Sequence, residues 1–362
     1  MGAVAIAKKA LWIASWTLAI LLLLIAGLLG SSVIAYYAEM RIPSTGISEA
    51  GYVRIGGIAQ WVQIRGDDRR NPVLLWLNGG PGFSTIPSTW LTRPWERDFT
   101  VVMWDQRGEG RTFTKAGPAG TGTMSIDRMT RDGLELADYL RAHLHQRKIV
   151  LLGHSWGSIL GIAMAQAQPE FFAAYVGTGQ VTNMAQSAAR SYPRLIARAR
   201  SRGNLVAERQ LAALGPPPYK TMAQSRVWLR WANALDPGER ALPRDWATLW
   251  AFVVNIWGDS QISPGARYSQ ETMLPAVMQV DLPSRYKRFD LPVLMMQGDE
   301  DLIADSGLAR DYLQHLEAPA KAFVPIPAYG HMAIGRDRSA FLATLVAHLK
   351  PWIGRPDWPA RD

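Results

Sequence analysis

The pattern of apolar and polar positions divides the chain into segments with different predicted secondary structure. Near the N-terminus, residues 11–33 contain no charged side chain and predict a long apolar helix. Residues 51–55 and 58–64 alternate between apolar and polar positions and are joined by two glycines, which predicts an antiparallel hairpin. From residue 72 to 181, short apolar runs alternate with helical patterns, which is typical of a parallel sheet flanked by helices.

Continuous apolar runs predict buried strands, because a strand covered on both faces needs no polar positions. These runs are residues 72–77, 100–104, 148–152, 291–297 and 321–325. Between the third and the fourth run, residues 182–281 show helical patterns broken by proline and glycine and contain no strand-like run. The pattern therefore predicts an α/β fold with a helical segment inserted into it.

The strand-like run 148–152 leads into the pentapeptide Gly-His-Ser-Trp-Gly at residues 153–157, and a helical pattern follows it. Gly-x-Ser-x-Gly between a strand and a helix is the nucleophile elbow, a strained turn that exposes a serine hydroxyl above the sheet. Glycines are needed at its two ends because side chains there would collide with the neighbouring strand and helix. This setting predicts that Ser155 is a catalytic nucleophile.

Two further glycine-rich turns follow predicted strands. Asn-Gly-Gly-Pro-Gly at residues 78–82 exposes backbone N–H groups, which can stabilise a developing oxyanion. Asp-Gln-Arg-Gly-Glu-Gly-Arg at residues 105–111 indicates a buried polar network under the site. In that network we expect Asp105 and Arg107 to be structural partners rather than catalytic groups.

A serine nucleophile needs a base, and the base needs an acid that orients it. Three carboxylates follow the fourth apolar run, Asp299, Glu300 and Asp301, and the residues alone leave the choice of acid open. For the base we expect His331, which lies in a loop after the last run. The other histidines lie on predicted helices or in the elbow: His143, His145, His154, His315 and His348.

The motifs at residues 78–82, 105–111 and 153–158, in this order and spacing, resemble those of the proline iminopeptidases (prolyl aminopeptidases) of the α/β-hydrolase superfamily. The resemblance is strong over residues 50–180 and moderate over residues 285–350. It implies an α/β-hydrolase fold, in which a mostly parallel sheet is flanked by helices and a helical cap is inserted over the site. Such a lid excludes water and shapes the pocket.

The resemblance also implies roles for single residues. The family pattern places the triad acid three residues after a glycine, which is Asp301 here, with Asp299 as the alternative. It implies that the backbone N–H groups of Gly80 and Trp156 bind the oxyanion. The implied reaction is covalent acyl transfer that begins with attack of Ser155 on a carbonyl and needs no metal or cofactor.

We expect four segments along the chain: a membrane anchor, two parts of an α/β-hydrolase core and a cap between them. The predicted boundaries are 1–40 for the anchor, 41–181 and 282–362 for the core, and 182–281 for the cap. The cap contributes candidate substrate-binding residues. They are Trp228, Trp231 and Glu208, with Trp246, Trp250 and Trp257 as further candidates for an apolar pocket.

Two positions depart from the family pattern. Proline iminopeptidases commonly carry Trp-x-x-Trp-Glu in the cap, where the carboxylate neutralises the free amino terminus of the substrate, whereas here Ala232 follows Trp231. His154 stands where the family favours glycine, and Gly-His-Ser is common in lipases and esterases. An esterase with an aromatic pocket is therefore an alternative to an aminopeptidase, and a non-catalytic binding scaffold is a third interpretation. Other cap carboxylates are Glu208, Glu239 and Glu271.

Composition excludes several classes of site. The chain has no cysteine, which rules out disulfides and metal–thiolate sites. Its formal net charge of +9 is spread along the sequence without a basic run typical of nucleic-acid binding, and no Gly-Lys-Ser/Thr marks a phosphate loop. We expect a small peptide or ester as substrate, with no metal, no cofactor and no nucleic-acid partner.

The N-terminal apolar run is long enough to cross a bilayer, which takes about 20 apolar residues. We expect residues 10–37 to lie in the lipid bilayer as a single-pass anchor. A cleaved signal peptide is the alternative, although its apolar region is usually about 7–15 residues long. Lys8 and Lys9 precede the run, so the positive-inside rule predicts a catalytic domain on the periplasmic or extracellular side of the inner (cell) membrane.

Overall fold

The computed structural model of the chain describes residues 2–237, 264–335 and 338–354. Two compact units divide the chain. The described part of the first unit is residues 2–41, and the described residues from Ile42 onward belong to the second. Four of the residues named above lie outside the described ranges: Trp246, Trp250, Trp257 and Glu239.

Helix α1 (Ala3–Glu39) forms the described part of the first unit. Its segment Lys8–Glu39 has a mean hydropathy of 2.6, and most of the large apolar side chains described on it are exposed. The hydroxyls of Ser15 and Thr17 donate to backbone carbonyls one turn earlier, so they need no partner outside the helix. The prediction of a long apolar helix is confirmed. By length and composition α1 is a candidate membrane span, and a signal sequence has the same properties.

The strands of the second unit form one sheet of mixed but mainly parallel character. Within the described residues they are β1 (Ile47–Ile55), β2 (Ile58–Gly66), β3 (Val73–Leu77), β4 (Thr100–Asp105), β5 (Ile149–His154), β6 (Phe172–Thr178), β7 (Val293–Gly298) and β8 (Lys321–Ile326). The sheet order is β1-β2-β4-β3-β5-β6-β7-β8. The β1–β2 and β2–β4 pairs are antiparallel and all others are parallel, which confirms the predicted fold class.

Helices connect the strands of the second unit. Those in the described residues are α2 (Thr89–Thr92), α3 (Gly110–Thr121), α4 (Ile126–His143), α5 (Trp156–Ala167), α6 (Met184–Ser201), α7 (Leu205–Leu214), α8 (Met222–Leu235), α9 (Pro264–Val277), α10 (Leu282–Arg285), α11 (Ser306–His315) and α12 (Arg338–Ile353). Helices α6 to α9 lie in the segment 182–281 that we expect to be a cap, and the boundaries of that cap stay a prediction.

Alternate side chains of the central strands enter two separate apolar layers. Leu75 and Leu77 of β3 belong to the layer that includes residues of α4 and α5. Trp76 points into the other layer, where Trp95 stacks on it at a ring-centroid distance of 5.6 Å and also stacks on Phe341 of α12 at 5.5 Å. Because both faces are covered, the strand sequences are continuously apolar rather than alternating.

The β6 strand was not predicted from an apolar run of its own. Its sequence Phe-Ala-Ala-Tyr-Val-Gly-Thr contains two alanines and a glycine, which weaken the strand signal. In the structure β6 pairs with β5 on one side and with β7 on the other. It therefore joins the two parts of the core that are separated in sequence.

The sheet also explains why glycine is required after the nucleophile. A Cβ atom on Gly157 would overlap the carbonyl oxygen of Leu77, so Gly157→Ala should lower the free energy of unfolding by more than about 3 kcal/mol, because backbone atoms cannot move aside as side chains can. Gly51→Ala is the matched control, since a Cβ atom there meets no other atom within 4 Å. Urea unfolding of both variants tests this expectation, and equal stabilities would contradict it.

Candidate active site

Ser155 lies in the turn between β5 and α5, at the carboxyl end of the central strands. Its backbone has φ 53° and ψ −119°, a conformation that residues other than glycine rarely adopt. The N–H of Ser155 donates to the carbonyl of Thr178 at the end of β6, with a distance of 3.1 Å. Side chains at Gly153 and Gly157 would overlap backbone atoms of neighbouring segments. Both glycines of the motif are therefore explained by the tightness of the turn.

The structure brings Ser155, His331 and Asp301 together. Nε2 of His331 lies 2.8 Å from Oγ of Ser155, and Nδ1 of the same ring lies 2.9 Å from Oδ2 of Asp301. Asp301 is fully buried after β7, and its Oδ1 accepts from the backbone N–H groups of Ile303 and Ala304, both at 2.8 Å. These donors fix the carboxylate in the orientation that faces the imidazole.

Asp299 and Glu300, the other two carboxylates of this loop, are not directed at His331 in the same way. Asp299 is exposed, and Glu300 accepts a hydrogen bond from Arg198 of α6. The geometry therefore pairs Asp301 with the imidazole. Its assignment as the triad acid stays a prediction, as do the roles of the serine and the histidine.

The predicted oxyanion donors belong to two backbone segments next to Ser155. Trp156 is the first residue of α5, where backbone N–H groups have no partner within the helix. Gly79 comes so close to the elbow that a Cβ atom on it would lie 3.3 Å from Cβ of Ser155. The adjacent Gly80 has φ 122°, which favours glycine. Whether Gly80 and Trp156 bind an oxyanion stays a prediction.

A buried chain of hydrogen bonds connects these two segments. The indole N–H of Trp156 donates to Oε1 of Gln106 (3.1 Å), and the amide of Gln106 donates to Oδ1 of Asn78 (2.6 Å). The amide of Asn78 in turn donates to Oε1 of Glu109 (2.6 Å). Burial, together with the nearby Asp105, raises the pKa of Glu109 well above its usual value. The raised pKa favours the neutral carboxylic acid form of Glu109, and through Asn78 this side chain supports the glycine-rich loop.

Asp105 and Arg107 both make structural contacts, and their exclusion from catalysis stays a prediction. Asp105 accepts hydrogen bonds from the hydroxyl of Ser84 and from the backbone N–H of Arg111 (2.8 Å). Arg107 forms a buried ion pair with Asp132 of α4, with Nε 2.8 Å from Oδ2. Sequence reasoning found this network but missed Asn78 and Glu109. A glutamate inside a glycine-rich turn after a buried strand was the available signal.

His154 is the second imidazole near the serine. Its ring centroid lies 5.1 Å from that of His331, and the residue is only 6% exposed. Burial and the neighbouring His331 lower the pKa of His154 to about 3, so the ring is neutral at physiological pH. Within the described ranges, no group of three or more His, Cys, Asp or Glu side chains is arranged to hold a metal ion.

The three candidate substrate-binding residues make polar contacts within the segment 182–281. The indole of Trp228 is fully buried and donates to Oγ of Ser191 on α6 (2.9 Å). The indole of Trp231 donates to Oε1 of Gln210 (3.0 Å). Glu208 pairs with a neighbouring arginine on α6 at 2.7 Å. Contact of these side chains with a substrate stays a prediction.

Asp236 is a further cap residue at the site, and sequence reasoning missed it. It follows α8, and only 4% of the residue is exposed. Its Oδ2 accepts from the backbone N–H of His331 (2.6 Å), and its Oδ1 accepts from the backbone N–H of Leu302 (3.0 Å). Burial and the nearby Asp301 raise the pKa of the Asp236 carboxyl to about 7. In the sequence, Asp-Pro-Gly indicated only a helix end.

Comparison with known proteins adds three findings. The family described as "alpha/beta hydrolase fold" matches residues 72–336. The probable aminopeptidase YbaC of Bacillus subtilis is 28% identical over 306 residues, which is 82% of this chain and 94% of that protein. A probable proline iminopeptidase of Streptomyces coelicolor is 30% identical over 44% of this chain and 53% of its own length.

Among solved structures, a proline iminopeptidase-related protein of Thermus thermophilus has a TM-score of 0.60. The match covers 84% of this chain and 99% of that chain at 21% sequence identity. It supports the same fold.

The raised pKa of Glu109 has a consequence for stability. A carboxyl whose pKa is raised on folding stabilises the protein below its usual pKa of 4.5, and this contribution is lost as the pH rises towards the folded-state pKa. Glu109→Gln, which cannot ionise, should therefore gain stability relative to the wild type as the pH rises. Urea unfolding over a pH series measures the difference. The exposed Glu271→Gln serves as control, and parallel curves for wild type and Glu109→Gln would contradict the assignment.

Proposed function

Because this chain belongs to the α/β hydrolase fold family, we propose that it is a serine aminopeptidase acting on short peptides whose N-terminal residue is proline or apolar. The hydrogen-bonded series Ser155–His331–Asp301 at the carboxyl edge of the sheet is the observation that carries the proposal. Relatives with aminopeptidase and proline iminopeptidase names support the substrate class.

In the proposed reaction, Oγ of Ser155 attacks the carbonyl carbon of the N-terminal residue while Nε2 of His331 accepts the hydroxyl proton. Asp301 holds the imidazole with Nε2 facing the serine and stabilises the imidazolium that forms. The tetrahedral intermediate collapses when the imidazolium gives its proton to the leaving amine. Water then attacks the acyl-enzyme, with the same imidazole as base, and releases the N-terminal amino acid.

The negative charge of the intermediate develops on the former carbonyl oxygen. In the proposed site the backbone N–H groups of Gly80 and Trp156 stabilise it, and each such donor contributes roughly 3 kcal/mol to the transition state. The buried chain from Trp156 to Glu109 supports both segments, so the donors are held in place before the substrate binds. Preorganised donors need no rearrangement during the reaction.

An esterase that takes an uncharged acyl group is the second candidate function. The observation in its favour is Ala232, a fully buried apolar residue at the position where proline iminopeptidases carry the glutamate that meets the substrate's amino terminus. Without such a group, burial would remove the hydration of the substrate's ammonium group, and no carboxylate at this position would compensate for that loss. A non-catalytic binding scaffold is the weakest alternative, because the serine, imidazole and carboxylate are all present and hydrogen-bonded.

We further propose that residues 10–37 anchor the enzyme in the lipid bilayer of the cell membrane by a single pass. The mean hydropathy of 2.6 over Lys8–Glu39 and the length of α1 support a membrane span. Lys8 and Lys9 before the apolar run support an N-terminus in the cytoplasm and a catalytic domain on the periplasmic or extracellular side.

Replacing the nucleophile tests the mechanism. Ser155→Ala should reduce turnover on the order of 10⁶-fold, because no other group can form the acyl-enzyme. Activity and specificity are measured with three sets of substrates: proline and alanine 7-amido-4-methylcoumarins, their N-acetylated forms, and short p-nitrophenyl esters. Amide turnover that requires a free amino terminus supports the aminopeptidase, and ester turnover alone supports the esterase. An active Ser155→Ala protein would contradict the mechanism.

Membrane fractionation of cells that express the full chain tests the anchor. The protein should stay in the membrane after alkaline carbonate extraction, keep its N-terminal residues by mass spectrometry, and be digested when protease is added to spheroplasts. These results follow from an uncleaved helix with an external catalytic domain. Recovery of a soluble protein that lacks the apolar run would instead identify a cleaved signal peptide.

A further inference from the structure

Asp236 connects the cap to both loops that carry the partners of Ser155. The Asp236 carboxylate lies immediately after α8 and accepts one hydrogen bond from each loop. The first donor is the backbone N–H of His331 itself, at 2.6 Å. The second is the backbone N–H of Leu302, the residue after Asp301, at 3.0 Å. One side chain therefore sets the distance between the loop of the base and the loop of the acid.

The local backbone is built around this carboxylate. A Cβ atom on Gly330 would overlap the carboxylate of Asp236, so glycine is needed directly before His331. The carbonyl of the next cap residue, Pro237, accepts from the N–H of Gly330 at 3.0 Å. Two consecutive backbone N–H groups of the base loop thus donate to two consecutive cap residues.

Additional contacts fix the same end of α8 to the acid loop. Arg198 of α6 donates to the carbonyl of Leu235 at 3.2 Å and also to the carboxylate of Glu300. Arg194 of α6 donates to the backbone carbonyl of Asp301 at 3.3 Å. The loop of the acid is therefore held by side chains from two cap helices rather than by the sheet alone.

We propose that Asp236 is a positioning residue, through which the cap holds His331 and Asp301 in register with Ser155. This inference rests on the proposed function. A carboxylate is the suitable side chain because both donors are backbone N–H groups and a carboxylate offers acceptors only. An asparagine of the same size would present an NH₂ group to one of these N–H groups and lose that hydrogen bond.

The test compares Asp236→Asn with Glu96→Gln in the full-length protein. Glu96 is a matched control, because it is a fully buried carboxylate that pairs with Arg65 of β2 (2.9 Å), towards the opposite end of the sheet from β7 and β8. The assays are the rate of Ser155 labelling by a fluorophosphonate, kcat and KM, and the melting temperature. They are run about one pH unit above the pKa of Asp236, where most of the carboxylate is ionised.

We expect Asp236→Asn to lower kcat and the labelling rate by on the order of 10²-fold with KM unchanged, which is the effect of a misplaced catalytic group. Glu96→Gln should lower the melting temperature while kcat stays near that of the wild type. A wild-type rate in Asp236→Asn overturns the positioning role alone. Equal losses of kcat in both variants also overturn it, because they would reflect a general loss of stability.

Amide hydrogen exchange in the wild type gives a measurement that does not depend on the folding of a variant. The N–H groups of Leu302 and His331 should exchange slowly, and exchange as fast as in exposed loops overturns the proposal. Failure of the proposed function is recognised separately. If the protein hydrolyses esters but not amides, the aminopeptidase proposal is wrong and the positioning role is unaffected. If the fluorophosphonate does not label Ser155 in the wild type, the proposed function and the positioning role are both wrong.

Discussion

Close approach of backbone segments at the carboxyl edge of the sheet is the constraint on which the rest of the site depends. Gly157 rests against the carbonyl of Leu77, and Gly298 at the end of β7 rests against the loop before His331. A Cβ atom on Gly179 would lie 2.9 Å from the imidazole of His331. Since these positions carry no side chains, loops from distant parts of the sequence can converge on Ser155 within hydrogen-bond distance.

The site is therefore shared between the sheet and the inserted helices. Strand β5 ends next to Ser155, the loop after β7 carries Asp301, and the loop after β8 carries the imidazole of His331. The sheet fixes the residues at which these loops begin. Asp236, Arg194 and Arg198 contact the loops beyond the ends of the strands. Under the proposed function, a change in α6 or at the end of α8 therefore alters the distances among Ser155, His331 and Asp301 without touching a residue that meets the substrate.

Much of this arrangement was predictable because it is encoded in short stretches of sequence. The run before Ser155, the glycines around it and a histidine after the last strand are local signals, and each was found where predicted. The contact of Asp236 with His331 joins residues that are far apart along the chain, so no local pattern reports it. The raised pKa of Glu109 likewise arises from burial by segments that only the fold brings together.

The order of the strands has a consequence for the biogenesis of the enzyme. Helix α1 and Ser155 leave the ribosome before the inserted segment, and that segment is made before β7 and β8. Until β7 arrives, the hydrogen-bonding edge of β6 has no neighbour within the chain, which is a recognised route to aggregation. A nascent chain that ends before residue 331 carries Ser155 without the imidazole that faces it. Under the proposed mechanism, hydrolysis therefore begins only after the loop that follows β8 has been made.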